Sequence, residues 1–421
     1  MRLLAGTRPD RALTLAEHLA VHGALPRTGR GLVDEIEASG LTGRGGAGYP
    51  LAGKLRTVLA QPRLRGRPVV VVNAAESEPA ADKDLSLVTR SPHLVLDGAA
   101  ACARAVGARV VVVWVHRGGH GAEQAVETAA FERLSVGADA VGIEVVAGPD
   151  RYVAGEASAI VRHLSGGPAL PSATPYRTAE RGVRGRPTLL ANAETFAHAG
   201  LVARHGAAWF RSVGLPDEPG TMLATVRGGV VRPGVVEVPL GTPLPDALEA
   251  GGGLRTPASA LLVGGYGAAW LPWDAARTAT LSRASLAARG ADLGTGLLLA
   301  LPADRCPLAE TERLVGWLAA ESAGQCGPCL NGLPAMAADL SALVSGDGSA
   351  LSRLDRRAAL VAGRGACHHP DGAVRLVRST LDVFRPHVER HLRAGRCPDL
   401  DCSPVAPLPA HAAVAGVASW R

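Results

Sequence analysis

The feature that most constrains this chain is an alternation that begins at Pro68. A β-branched run, Val69 to Val72, gives way to helical spacing over about 93 to 106, then comes Val110 to Val115, helical spacing over about 120 to 134, and Ile143 to Val146. Strands alternating with helices specify a βαβαβ unit, hence α/β architecture with a parallel sheet and right-handed crossovers. Around this unit the pattern changes. Residues 1 to 40 are Arg-rich and partly helical, with Leu32, Val33 and Ile36 spaced for one helix face. Helical spacing returns over Gly155 to Leu164 and Asn192 to Arg204, on either side of a Pro-, Thr- and Arg-rich loop. Short strand-like runs (Met222 to Val226, Val235 to Val238, Leu261 to Val263, Leu297 to Leu301) set among Gly and Pro indicate a small mixed α/β domain. From Leu308 to Leu392 apolar residues recur at three and four, the spacing of a helical bundle, and the last residues read as a loose tail. The division expected is 1–40, 41–215, 216–303, 304–395 and 396–421.

Composition narrows the function classes. An apolar share of 47% supports large buried cores. The longest apolar runs fall far short of the roughly 18 residues of a membrane helix, and Met1-Arg2-Leu3-Leu4 runs quickly into Arg8, Asp10 and Arg11, without the apolar core of a secretion signal. A cytoplasmic protein without a membrane span is expected. The net charge of +6, from 44 basic and 38 acidic residues, is scattered rather than clustered with aromatics, so no nucleic-acid partner is expected. Only Lys54 and Lys83 among the basic residues are lysines, and asparagine occurs only at Asn73, Asn192 and Asn331. Residue types that a composition avoids mark places where no substitute works, so these positions serve as pointers.

Four polar segments follow from them. Gly43-Arg44-Gly45-Gly46-Ala47-Gly48-Tyr49-Pro50 contains G-x-G-x-x-G, but it follows a helix-like stretch and lacks an acid about 20 residues on, so the dinucleotide-fold reading fails. Consecutive glycines let backbone N–H groups approach a flat ring or a phosphate, with Lys54 as a compact charge; the other reading is a flexible surface loop. Asn73-Ala74-Ala75-Glu76-Ser77-Glu78-Pro79 follows the first strand, at the end where open α/β sheets bind ligands. Tyr152 to Glu156 and Pro187 to Thr195 each open a helix and can offer N-terminal amides to an anion.

Cysteine placement is the sharpest signal. Cys326-Gly327-Pro328-Cys329 is a C-x-x-C pair with Cys367 further on, and metal is the default reading in a reducing compartment, as one cluster or one zinc. Cys102 and Cys306 read as inert. His391, Cys397 and Cys402 fall close together, with His387 one helical turn before His391; the group is either a second soft-ligand site, with zinc as its ion, or a chance grouping.

Together these segments resemble the FMN-binding flavoprotein component (the F subunit) of the respiratory NADH dehydrogenases and the diaphorase subunits of NAD-dependent hydrogenases and formate dehydrogenases. The resemblance covers about residues 30 to 402: the glycine loop with Lys54, Asn73 to Pro79 followed by Lys83-Asp84, Pro92-His93, Tyr152 to Glu156, Pro187 to Thr195, Gly294-Thr295-Gly296, Glu321 to Cys329, and Phe384 to His391 followed by Arg396-Cys397-Pro398 and Cys402. It implies a Rossmann-like FMN domain over 41–215, a β-grasp, soluble-ligand-binding domain over 216–303, and a bundle carrying an iron-sulfur cluster. It also implies that Gly43, Arg44, Gly45, Gly46, Lys54, Asn73, Glu76, Ser77, Tyr152, Gly155, Glu156, Asn192 and Thr195 hold FMN, that Glu78 with Tyr49 faces a nicotinamide, and that Cys326, Cys329 and Cys367 are metal ligands.

The departures from the family pattern carry expectations of their own. Ala323 stands where the family has a fourth cysteine, which makes a 3Fe-4S centre, or a 4Fe-4S centre with a substitute ligand such as His368 or His369, an alternative to the ordinary cluster. Leu55, Ala75, Ala157 and Ala191 replace family residues, and Ser172 to Arg177 lacks a lysine, so the contacts assigned to NADH are thinned and NADH is expected to be a poor reductant. The function implied is an FMN-dependent oxidoreductase subunit passing electrons from a nicotinamide or other donor, through FMN and the cluster, to a ferredoxin-like or thioredoxin-like iron-sulfur subunit. The alternative is a non-catalytic descendant acting as a binding or scaffold subunit.

Overall fold

The computed structural model describes residues 2–119, 121–397, 400–409 and 420, the side chain of Arg63 excepted. Strands β1 (Val69–Asn73), β2 (Val110–His116), β3 (Gly142–Gly148) and β4 (Thr188–Asn192) form one parallel sheet in the order β3-β2-β1-β4. The first three match the expected alternation. The fourth falls where the sequence pattern indicates the opening of a helix. All five of its residues are buried, so it shows none of the period-two alternation of a half-exposed strand, and it runs straight into helix Ala193–Phe210. Because β2 and β3 lie on one side of β1 and β4 on the other, the strand order reverses between β1 and β4, which places a ligand crevice outside their carboxyl ends.

Helices Pro92–Val106 and Ala193–Phe210 pack closely beside this sheet. Their separation is set by Gly98, where an added Cβ would lie 1.6 Å from the Phe196 carbonyl oxygen. Leu32, Val33 and Ile36 are buried in the same core, as their spacing predicts.

Strands β5 (Thr221–Gly228), β6 (Gly234–Pro239), β7 (Ala258–Val263), β8 (Ala269–Pro272) and β9 (Leu297–Pro302) form a second sheet, β6-β5-β9-β7-β8, in which only the β5–β9 pairing is parallel. Helices Pro307–Ala320, Leu333–Val344, Ser349–Val361, His369–Val383 and Arg385–Ala394 make the bundle, with a π-helical turn at Pro328–Gly332. The tail is not loose over 400–409. Cys306 N–H donates to Asp401 O at 2.9 Å, Ala406 N–H donates to Glu310 Oε1 at 2.7 Å, and Ala406 is buried. Residues 398–399, 410–419 and 421 of the expected tail lie outside the described residues. No helix among the described residues is long and apolar enough to cross a membrane.

Candidate functional site

The carboxyl ends of β1 and β4 bring the two asparagines together, since Asn73 and Asn192 are partners in the strand register. Asn73 Nδ2 donates to Gly155 O at 2.9 Å and its Oδ1 accepts from Ala75 N–H at 3.2 Å, so it ties the strand end to the Tyr152–Gly155 turn. Asn192 Oδ1 caps helix Ala193–Phe210 through Thr195 N–H at 3.3 Å, while Nδ2 donates to Asp84 Oδ1 at 3.2 Å. Lys83 lies behind this layer. It is 1% exposed, with Nζ 2.6 Å from Asp84 and 3.1 Å from Glu194. Burial alone would lower its pKa, but the Asp84, Glu194 and Glu76 carboxylates hold it above the ordinary lysine range. Lys83 is thus a buried counterion and is not available to a ligand.

Outside the strand ends lies a cleft of about 590 Å³. Gly43, Gly45, Gly46, Lys54, Asn73, Tyr152, Gly155, Glu156, Asn192 and Thr195 line it, which brings together most of the residues expected to hold FMN. Cys367 and His368 line the same cavity, so it runs on to the cysteine region of the bundle. Lys54 Nζ donates to Leu190 O at 2.8 Å and has no carboxylate partner among the described residues; burial lowers its pKa. A half-buried cation without a counterion, beside a loop whose glycines leave amides uncovered, fits a phosphate monoester. Gly48, at φ +63°, takes a backbone conformation that side chains rarely adopt, and an added Cβ would displace the Arg283 guanidinium, 2.2 Å away at Cζ. Arg283 Nη1 donates to Gly46 O at 3.0 Å and holds the loop in place. Sequence reasoning missed Arg283, Asp292 and Arg375, the last two of which line the cleft; in a chain whose default cation is arginine, neither arginine carries a signal.

Several expected residues lie elsewhere. The Arg44 guanidinium turns inward to Thr221 O at 3.2 Å and Pro219 O at 3.1 Å, with its pKa drawn down to about 10 by burial; only its backbone N–H reaches the site, donating to Thr195 Oγ1 at 2.9 Å. Glu156 and Asn192 fill the helix N-termini expected to bind an anion, Glu156 accepting from Ser158 N–H at 2.8 Å. Glu76, Ser77 and Glu78 line a separate cavity of about 330 Å³, with Tyr152 forming a wall of both. Ser77 Oγ lies 2.9 Å from His116 Nε2. Glu76 is pushed up to about 8 by burial and by Asp84. Glu78 Oε2 accepts from Tyr266 N–H at 3.0 Å and Tyr152 O–H at 3.3 Å, and its Oε1 is buried without a hydrogen-bond partner among the described residues. Burial pushes the Glu78 carboxyl up to about 7. Tyr49 and Glu78, expected at one nicotinamide, therefore line different cavities.

Six of the seven thiols fall into two groups, with Cys102 apart in the first core; among the described residues only the second group draws three sulfurs within 4.8 Å of one another. Cys329 is buried and Cys326 and Cys367 are half-buried around the π-helical turn, while Ala323 packs against Val153, Leu170 and Trp420. The second group corrects the sequence reading. Cys306, inert by sequence, has its sulfur within 4.8 Å of those of Cys397 and Cys402, and these are mutually as close. The histidine beside them is His387, with Nε2 3.4 Å from Cys306 Sγ and 3.9 Å from Cys397 Sγ. His391 packs against His387, with ring centroids 5.7 Å apart, and is buried with neither ring nitrogen partnered among the described residues. Burial, with the neighbouring Cys397 and Cys402 thiols, pushes Cys306 up to about 12, a repulsion that a bound cation would relieve.

Comparison with known proteins follows the same division. The family model described as the Nuo51 FMN-binding domain matches residues 36–200, the SLBB domain matches 223–265, and the NADH-ubiquinone oxidoreductase-F iron-sulfur binding region matches 309–391. The chain is 30% identical over 382 residues to an NADH-quinone oxidoreductase F subunit of Rhizobium meliloti (strain 1021), covering 87% of this chain and 90% of that protein. It is 32% identical over 382 residues to the NADH-quinone oxidoreductase F subunit of Streptomyces coelicolor, covering 87% and 84%. Among solved structures it is similar to an NAD+-reducing NiFe-hydrogenase in the H2-reduced state, with TM-score 0.78 and 29% identity; the match covers 88% of this chain but only 63% of the hydrogenase chain.

Proposed function

The chain belongs to the family of NADH-quinone oxidoreductase F subunits, and from that premise we propose that it is an FMN-dependent electron-transfer subunit whose electrons leave through an iron-sulfur cluster on Cys326, Cys329 and Cys367. The observation that carries this reading is the single cleft lined at one end by the glycine loop, Lys54 and Asn192 and at the other by Cys367. When bound, FMN supplies the exchange between two-electron and one-electron chemistry. The protein's part is to hold the phosphate on the Gly45 and Gly46 amides and Lys54, since the Gly43 and Arg44 amides already donate to Tyr49 O and Thr195 Oγ1, to fix the surrounding turn and helix end through Asn73 and Asn192, and to keep a proton on Glu78 near neutral pH. With one thiolate replaced by Ala323, the cluster is 3Fe-4S, or 4Fe-4S with a substitute at the open corner. His369 is engaged, its Nε2 2.7 Å from Leu318 O, whereas the His368 side chain is fully exposed, with only the Asp371 carboxylate 3.8 Å away, and is the more available histidine. The division at 40, 215, 303 and 395 and a cytoplasmic location belong to this reading.

A ferredoxin-like or thioredoxin-like iron-sulfur protein is the acceptor we favour. A mainly apolar groove of about 420 Å³ lies beside the cluster cysteines, lined by Gly327, Pro328, Leu360 and Val361 and rimmed by Arg357 and Arg364. Leu360 is 58% exposed. An apolar centre with a basic rim suits an acidic electron-transfer partner.

Cys306, His387, Cys397 and Cys402 fit zinc, since three thiolates and one imidazole at such spacing make a tetrahedral structural site. The site would join the residues after β9 to the last bundle helix and the tail.

Mass spectrometry of the cofactor released from anaerobically purified protein, with iron, sulfide and zinc analysis, tests the assignment. FMN with iron and sulfide is expected, together with one zinc lost in Cys306→Ser. Recovery of FAD, or no flavin after reconstitution, overturns the flavin reading; a Cys397–Cys402 or Cys306–Cys397 disulfide in place of zinc overturns the metal assignment.

A further inference from the structure

A cavity of about 390 Å³ adjoins the cleft and shares Tyr49, Lys54, Ala157 and Leu190 with it. Its further lining includes Thr57, Arg177 and Thr178. Two cations and several hydroxyls face this space, and no carboxylate is among its lining residues. Among the described residues, Lys54 has only a carbonyl partner. Arg177 is held by its backbone, whose N–H donates to Glu180 Oε2 at 3.1 Å, and its exposed guanidinium has no ion-pair partner among the described residues. At the boundary between the two spaces stands Ala157, the first residue of helix Ala157–Leu164. A longer acidic side chain there would project toward both cavities.

The composition of such a pocket decides between two dinucleotides. A carboxylate beside an adenosine ribose accepts hydrogen bonds from its 2′- and 3′-hydroxyls and repels a 2′-phosphate, whereas an arginine in that place pairs with the phosphate. Resting on the reading that the cleft binds a nicotinamide dinucleotide next to FMN, we propose that this cavity takes the adenosine end and selects the 2′-phosphorylated form, NADPH, with Arg177 as the specificity-determining residue. The same features that thin the contacts to NADH, the absence of an acid at 157 and the basic lining, are those a 2′-phosphate requires. The phosphate sits between Arg177 and the Thr178 hydroxyl, and Tyr49 forms the wall shared with the flavin end.

Calorimetric titration of the purified flavin-containing chain with adenosine 2′,5′-bisphosphate and with 5′-ADP tests the proposal without turnover. The bisphosphate is expected to bind at least about tenfold more tightly. Arg177→Ala should bring the two affinities together, Arg177→Lys should restore part of the difference, and Ala157→Glu should shift preference toward 5′-ADP. Equal affinities in the wild type, a preference for 5′-ADP, binding of neither nucleotide, or an unchanged ratio in Arg177→Ala each overturns it. Flavin content measured on the same sample separates this failure from that of the underlying reading: a preference for 5′-ADP with FMN present leaves the flavin assignment intact and removes only the phosphate selectivity.

Discussion

Asn73 and Asn192 stand side by side as register partners at the carboxyl ends of two adjacent parallel strands, and from there Asn73 ties down the Tyr152–Gly155 turn while Asn192 caps helix Ala193–Phe210. The pair sits where the strand order reverses, so the sheet topology itself aims both side chains at the site. Replacing Asn192 by Ala removes the cap of an 18-residue helix and one donor to Asp84. A loss of about 1–2 kcal/mol is expected by urea denaturation, accompanied by faster flavin release. Unchanged stability would show that the cap is not formed in solution.

The two lysines should part company under mutation. Lys83→Met leaves Asp84 and Glu194 as buried, unpaired carboxylates and should cost about 3–5 kcal/mol. Lys54 has no ion pair among the described residues, so Lys54→Met should leave the melting temperature nearly unchanged while weakening FMN retention by about tenfold or more, the loss of one charge-assisted contact. Thermal melts and flavin dissociation measured on both variants check the contrast.

The stability profile should carry the mark of Glu78. Its carboxyl is raised to about 7 in the folded chain, chiefly by burial. A raised folded-state pKa means that the folded form binds more protons than the unfolded one, so this group's contribution is complete below the unfolded value of about 4.3 and is lost as pH rises to about 7. Glu78→Gln should remove roughly 2–4 kcal/mol of that decline across the window. Urea midpoints at pH 5 and 7.5 for both proteins provide the comparison; identical slopes would place the ionised carboxylate in a wetter setting than the structure gives it.

How much of this was legible in the sequence depended on what each residue was doing. The valine strands were legible because runs of β-branched residues between helical periods have one economical fold, and the asparagines because the composition avoids them. The same pointer held at Lys83 for another reason, since its place is a buried ion network with Asp84 and Glu194 rather than the wall of the cleft. Strand β4 was hidden because burial on both faces erases alternation. Cys306 and His387 lie 81 residues apart, and no local spacing announces a contact that the fold makes. Arg283 was camouflaged by the abundance of arginine. Asn331, equally rare, lies exposed in the π-helical turn, where it lines the groove beside Pro328 and Leu360.

Restoring a thiol at position 323 should change the cluster. If the wild type holds the three-iron form, its oxidised state should give an EPR signal without added reductant, and Ala323→Cys should abolish that signal and yield a four-iron centre visible only after reduction. If the wild type already shows a four-iron centre only, the open corner carries a substitute, and His368→Ala then tests the exposed histidine.

The most direct test of the central claim, that one cleft couples a flavin to the Cys326–Cys329–Cys367 cluster, is anaerobic photoreduction of the purified chain followed optically and by EPR. Electrons entering at the flavin should appear in the iron-sulfur centre of the same molecule, and a chain stripped of FMN should show no light-driven change at the cluster. Full reduction of bound flavin with the cluster unchanged, or a chain that holds an iron-sulfur centre but no flavin, would contradict the account.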